Sequence, residues 1–307
     1  MPASMSLLLD GLIDYAGLFP PAKLDMQPMV ETYRRVMLDA RGWMVGRVIV
    51  PVGELEEFEL ASRTLLPDEE DVDPWCLSVL VSACGDDALA SDLESIALFN
   101  QRHASHAQGR AVIDVVEMRG DNAEAIEHAL DLLPDDLFPF VELPLADDVR
   151  GMLAVLSGSE AAAKIRTGGV TPDLYPGAES VASFIVQAAA AGVPFKATAG
   201  MHHPLPNNHP SLGVRQLGFL NVFLAAAAAM ASPLDVQAVI DMLDIDDQSV
   251  MYWGDDKARI GDVEVHTDDI EEARLAFAIS YGSCRVDEPW DDLAALGWLD
   301  VISETTK

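Results

Sequence analysis

The sequence predicts a single (β/α)8 TIM-type barrel over residues 1–307, with a helical and hairpin insertion between its seventh and eighth strands. Three observations carry this. Apolar runs of strand length alternate with amphipathic runs of helix length along the chain. The strand runs are rich in Val, Ile and Phe, as parallel strands covered on both faces require. No GxGxxG follows the first strand, which removes the main argument for a doubly wound dinucleotide-binding sheet.

In chain order the expected strands cover 12–16, 47–51, 77–83, 111–118, 139–143, 162–167 and 194–199. Helical patterns at 27–39, 55–64, 86–103, 122–132, 147–156 and 178–191 fall between and around them. After Gly200 comes a loop rich in His, Pro and Asn, then helices over 214–230 and 233–243. Residues 249–253 and 259–265 read as a small hairpin, so the insertion covers roughly 204–270. The closing strand is placed at 277–282, with its helix at 290–296.

Composition excludes several function classes. Fifty-one acids against nineteen bases leave a formal net charge of −32, a field that repels nucleic acid and anionic membrane surfaces. Only five bases are lysines: Lys23, Lys164, Lys196, Lys257 and Lys307. An acidic, lysine-poor surface is what the cytoplasm of a salt-loving organism favours; an ordinary acidic protein is the alternative. The start of the chain has no basic region ahead of its apolar residues, which argues against a signal peptide. The three cysteines have no CxxC spacing, so a reducing cytoplasm is expected. The alanine-rich stretch 224–230 is a candidate contact for a homo-oligomer.

In a barrel, a charged residue inside an apolar strand belongs in the lumen, near the mouth at the C-terminal strand ends. That rule selects Lys164 and Arg166 on the sixth strand, Lys196 and Thr198 on the seventh, Glu142 at the end of the fifth, Asp114 and Glu117 in the fourth, and Asp14 at the end of the first. Two inward lysines on adjacent strands lower each other's pKa, and burial adds to this, so a free amine becomes available to attack a carbonyl. Equally, each lysine is read as a structural ion pair with Glu142, Asp114 or Glu117.

The stretch from Ala163 to His203, AKIRTGGVTPDLYPGAESVASFIVQAAAAGVPFKATAGMHH, resembles the matching βαβ unit of the deoxyribose-phosphate aldolases. The resemblance implies that Lys164 is a Schiff-base lysine, that Lys196 tunes it, and that Asp114, in VIDVVE, is the acid that shuttles protons. The family closes with a Gly- and Ser-containing phosphate loop, which SYGSCRVDEPWDDLAALG resembles, placing Gly282 and Ser283 at an anion. The chain departs from the family at Ile165 and Arg166, at Met201, His202 and His203, and in the insertion. The opening IDYAGLFPPAKLDM, with the whole pattern, also resembles a second, bacterial family, which implies no activity.

The expected function is a carbon–carbon lyase acting on a small carbonyl compound without a cofactor, with Asp114 or Glu142 and a histidine moving protons. Arg166 holds an anionic group of the substrate, and Thr198, Asp14 and the Gly168–Gly169 turn stand beside it. A second reading is a metal-dependent enzyme built on His202, His203 and His209. A third is a non-catalytic, ligand-binding barrel whose lysines are paired and inert.

Overall fold

In the computed structural model, which describes residues 1–69, 72–104, 109–145 and 148–299, eight parallel strands close into a barrel. They are β1 (Ile13–Tyr15), β2 (Val45–Pro51), β3 (Trp75–Leu80), β4 (Ala111–Arg119), β5 (Phe138–Glu142), β6 (Ala162–Arg166), β7 (Phe195–Thr198) and, after the insertion, β13 (Ala278–Ser283). The closure pairs β1 with both β2 and β13. Helices α2 (Met26–Met37), α3 (Leu55–Ser62), α4 (Leu89–His103), α5 (Ala123–Leu130), α6 (Arg150–Ser157) and α7 (Ala178–Ala191) follow the first six strands in turn. Local chemistry sets their ends. The Asn122 side chain accepts from Ala125 N at 2.9 Å to start α5, and Gly192 closes α7 in the left-handed conformation at φ +65°. The expected start of α6 at Asp147 lies outside the described residues.

The insertion is more regular than the sequence implies. The pair β8 (Asn207–Asn208) and β9 (Arg215–Gln216) takes up the start of the expected helix at 214, so α8 runs only over Phe219–Ala231. It is followed by α9 (Val236–Leu243) and by a three-stranded antiparallel sheet of β10 (Met251–Trp253), β11 (Lys257–Ile260) and β12 (Val263–His266). A further helix, α10 (Thr267–Ala276), then leads into β13. Eleven of the thirteen residues of α8 are buried, as expected of a helix apolar all round. Leu224 through Ala229 are covered by the chain's own α7, α9 and α10, so this alanine run is not available to a second subunit. Asn221, on the same helix, donates to the carbonyls of Met242 and Ile245 and ties α8 to the end of α9.

The small sheet packs against α1 (Ala3–Leu9), which precedes β1, so it sits beside the N-terminal strand ends, away from the mouth. There Arg274 donates to the carbonyls of Leu8, Asp10, Ala278 and Ile279, joining α1, β13 and α10. Helix α11 (Asp287–Ala295) follows β13. Among the described residues no helix is long and apolar enough to cross a membrane.

Outward strand side chains join the large core under the helices. Inside the barrel, Val115, Phe140 and Ala162 form a separate apolar cluster with Ile279 against it. Each of the first three lies two residues before a charged residue of the same strand: Glu117, Glu142 and Lys164. The cluster is therefore one layer below those charges and forms a floor to the upper lumen.

Candidate active site

The layer above the floor is a ladder of alternating charges. Lys196 Nζ donates to Asp14 Oδ2 at 2.5 Å and to Glu117 Oε1 at 2.7 Å. Lys164 Nζ stands 2.8 Å from Glu117 Oε2 and 2.9 Å from Glu142 Oε2. Arg166 Nε donates to Glu142 Oε1 at 3.1 Å. The order is Asp14, Lys196, Glu117, Lys164, Glu142, Arg166, three acids and three bases, formally neutral within a strongly acidic chain. Register explains the assembly: Glu142, Lys164 and Lys196 are successive cross-strand partners on β5, β6 and β7. Ser280, the partner of Lys196 on β13, donates to Asp14 Oδ2 at 2.7 Å. Ser78 on β3 donates to Glu117 Oε1 at 2.6 Å.

The two lysines differ in how they are held and in what they face. Lys196 is wholly buried, lies 5.2 Å from the Phe140 ring centroid and is held by aligned hydrogen bonds on both sides. Lys164 has its carboxylates at ion-pair distance, but Glu117 Oε2 has no donor on a hydrogen-bond line. Lys164 also borders a cavity, and Lys196 does not.

Electrostatics follow from the ladder. Burial works against charge on Glu117, yet Lys164 and Lys196 outweigh it and hold the carboxyl far below the usual range. Burial likewise opposes charge on Glu142, and Lys164 and Arg166 overcome it, lowering the pKa. Lys196 goes the other way from the sequence expectation: burial depresses it, but Asp14 and Glu117 outweigh burial and the pKa is raised. Glu117 also stands between the two amines, so their expected mutual repulsion is bridged by a carboxylate.

The cavity beside Lys164 has a volume of about 240 Å³. Its polar lining is Glu117, Lys164, Arg166, Thr198 and His202, and its apolar lining includes Phe19, Ile49, Leu80 and Val170. At its rim Ala199 adopts φ +61°, a left-handed conformation that costs a non-glycine residue energy and collects at functional sites. A larger cavity of about 780 Å³ lies among Arg34, Glu59, Arg63, Arg102, His103 and Gly109, beside the N-terminal start of β4 and away from the mouth.

Asp114 does not join the lysines. It pairs with Arg47 at 2.6 Å, near the N-terminal end of the lumen, and the two side chains are about a third exposed there. The reason is a bulge: Leu77 and Ser78 of β3 pair with Ile113 and Val115, skipping Asp114. The acid that meets both lysines is Glu117.

Gly282 borders the cavity, but Ser283 is buried and donates to the Arg285 carbonyl at 2.6 Å. Gly169 borders the cavity as well. Gly168 meets the next loop so closely that a Cβ would lie 2.5 Å from Gly200 Cα, which is why glycine stands there.

The histidines separate. His202 Nδ1 is 3.2 Å from Glu288 Oε2, off the line of a hydrogen bond. His203 Nδ1 is 2.5 Å from Asp292 Oδ2, and His209 Nδ1 accepts from Ser211 N and Leu212 N. Among the described residues no group of three or more His, Cys, Asp or Glu side chains is placed to hold a metal ion, so the His202–His203–His209 metal site is not formed. Burial, more than the opposing Glu288 carboxylate, lowers the His202 pKa, so the imidazole facing the cavity is neutral at neutral pH.

Comparison with known proteins adds no relative: no family model, no curated protein and no solved structure matches the chain.

Proposed function

We propose that the chain is a barrel enzyme, a carbon–carbon lyase of Schiff-base type, in which Lys164 forms an imine with a small carbonyl compound. The observation that carries this reading is the asymmetry between the lysines. One amine is sealed and donates to two carboxylates; the other faces a small cavity at the strand ends with two carboxylates at 2.8 and 2.9 Å. The fold supports it, since barrels of this type carry their chemistry at that end.

In this reading Lys164 Nζ adds to the carbonyl carbon, a C–N bond forms, and the carbonyl oxygen takes two protons and leaves as water. Glu117 and Glu142 take and return protons at Nζ. The iminium then accepts the electron pair of the bond between its α and β carbons, which breaks. At the same time a β-hydroxyl proton passes to a base, a role this reading gives to His202, which lines the cavity. One carbonyl product departs and an enamine remains; protonation of its carbon and addition of water release the second product and restore the amine. Lys196 acts beneath as the fixed cation that keeps Glu117 ionised and in place.

Borohydride reduction with a carbonyl compound, followed by peptide mass mapping, tests the assignment. A stable adduct on Lys164 that disappears in Lys164→Met is expected. A label that persists in that variant rules it out. The pairing of every cation in the ladder favours one other reading, a ligand-binding barrel with inert lysines, and absence of any adduct would select it.

A further inference from the structure

Resting on the imine reading, the lining of the cavity narrows the substrate class. We propose that Arg166 and Thr198 form a carboxylate subsite and that the molecule joined to Lys164 is a 2-oxo acid, with no phosphate group bound at the glycine loops.

Arg166 and Thr198 are cross-strand partners on β6 and β7, one layer above the partners Lys164 and Lys196. Both border the cavity. Arg166 uses only Nε on Glu142, and its terminal nitrogens have no partner among the described residues. The Thr198 hydroxyl also has no partner among them. On the other side of Thr198 its partner is Gly282, where a Cβ would come within 3.3 Å of Thr198 Oγ1, so the absent side chain leaves that hydroxyl accessible. A guanidinium edge with two free N–H groups matches a carboxylate in two parallel bonds.

Spacing picks the oxo acid. A single carboxylate, that of Glu142, touches Lys164 through one oxygen and Arg166 through the other. The amine and the guanidinium are therefore close enough for a unit of a few atoms to bridge them. In a 2-oxo acid the electrophilic carbon is bonded directly to the carboxylate, which is the span required. The chamber of about 240 Å³ is also below the roughly 300–1,000 Å³ common for drug-sized ligands.

Three features tell against a phosphate. Ser283 spends its hydroxyl on the Arg285 carbonyl and is sealed from the cavity. The first turn of α11 carries Asp287 and Glu288, so the amide end that would attract an anion is already faced with negative charge. The Gly168 and Gly200 backbones fill the space between their loops. A monoanion meets one free guanidinium edge; a dianion meets the same edge inside a chain of net charge −32.

The test is borohydride trapping of Lys164 with pyruvate, with acetone as its neutral counterpart, and with dihydroxyacetone phosphate. The ratio of pyruvate to acetone labelling is expected to fall about tenfold or more in Arg166→Met, several-fold in Thr198→Val, and to recover only part way in Arg166→Lys. An unchanged ratio in Arg166→Met, or preferential labelling by dihydroxyacetone phosphate, overturns the proposal. If no probe labels Lys164, the imine reading fails, and a calorimetric pyruvate titration decides the subsite alone. Saturable binding lost in Arg166→Met retains the subsite, and no binding by the unmodified protein rejects it.

Discussion

Glu117→Gln removes one charge from the centre of the ladder while changing shape very little. The carboxylate is 2 % exposed, accepts from Ser78 and Lys196, and pairs with Lys164. Its loss leaves a buried excess of one positive charge. Removing one partner of a buried pair costs about 3–5 kcal/mol. Each lysine keeps a second carboxylate, Asp14 at 2.5 Å and Glu142 at 2.9 Å, which puts the expected loss near the lower end, about 3 kcal/mol. For a chain of this size that is a fall in Tm of about 5 °C. Lys196→Met should cost a similar amount, because it strands Asp14 and Glu117. The double variant restores charge balance, so its cost should be about 2 kcal/mol less than the sum of the two. Urea unfolding of the four proteins at pH 7 measures the cycle. Costs that add within about 0.5 kcal/mol, as they do for residues that do not interact, would refute the ladder.

Asp114→Asn should cost about 1 kcal/mol or less, because its pair with Arg47 is partly open to solvent, and it should leave trapping at Lys164 unchanged. Loss of trapping in that variant would return the acid role to Asp114. Gly168→Ala sets a Cβ 2.5 Å from Gly200 Cα, a backbone atom that cannot easily move aside, and should destabilise by about 1–3 kcal/mol in a thermal melt. The pH dependence has a definite sign. Glu142 has a pKa lowered below its ordinary 4.5, so its contribution is complete above about that pH and is lost as pH falls towards the folded-state value. Urea midpoints followed downward from pH 5 should therefore fall less steeply in Glu142→Gln than in the unmodified protein.

Much of the barrel is legible in the sequence because its strands carry their identity locally, as short Val, Ile and Phe runs between helical patterns. The inward lysines are legible for the same reason: a charge within such a run has nowhere to go but the lumen. What the sequence hides is parity. Asp114 and Glu117 are three apart and should face opposite ways in a regular strand, and a bulge that no residue type announces gives them different heights instead. Counting from Val115, which packs with Phe140 and Ala162, singles out Glu117 once the floor is known. Asp14 and Lys196 meet across 182 residues, a contact that exists only because the barrel closes. Helices α1 and α10 carry no clear pattern in the sequence, because one is a seven-residue piece at the chain start and the other, TDDIEEARLA, is mostly polar.

The apolar plug made by Val115, Phe140 and Ala162 lies one layer below Lys164 and its cavity. Among the described residues it divides the lumen, with the lysine ladder above and the Arg47–Asp114 pair apart from it. A molecule that joined Lys164 would therefore come and go by the strand-end mouth.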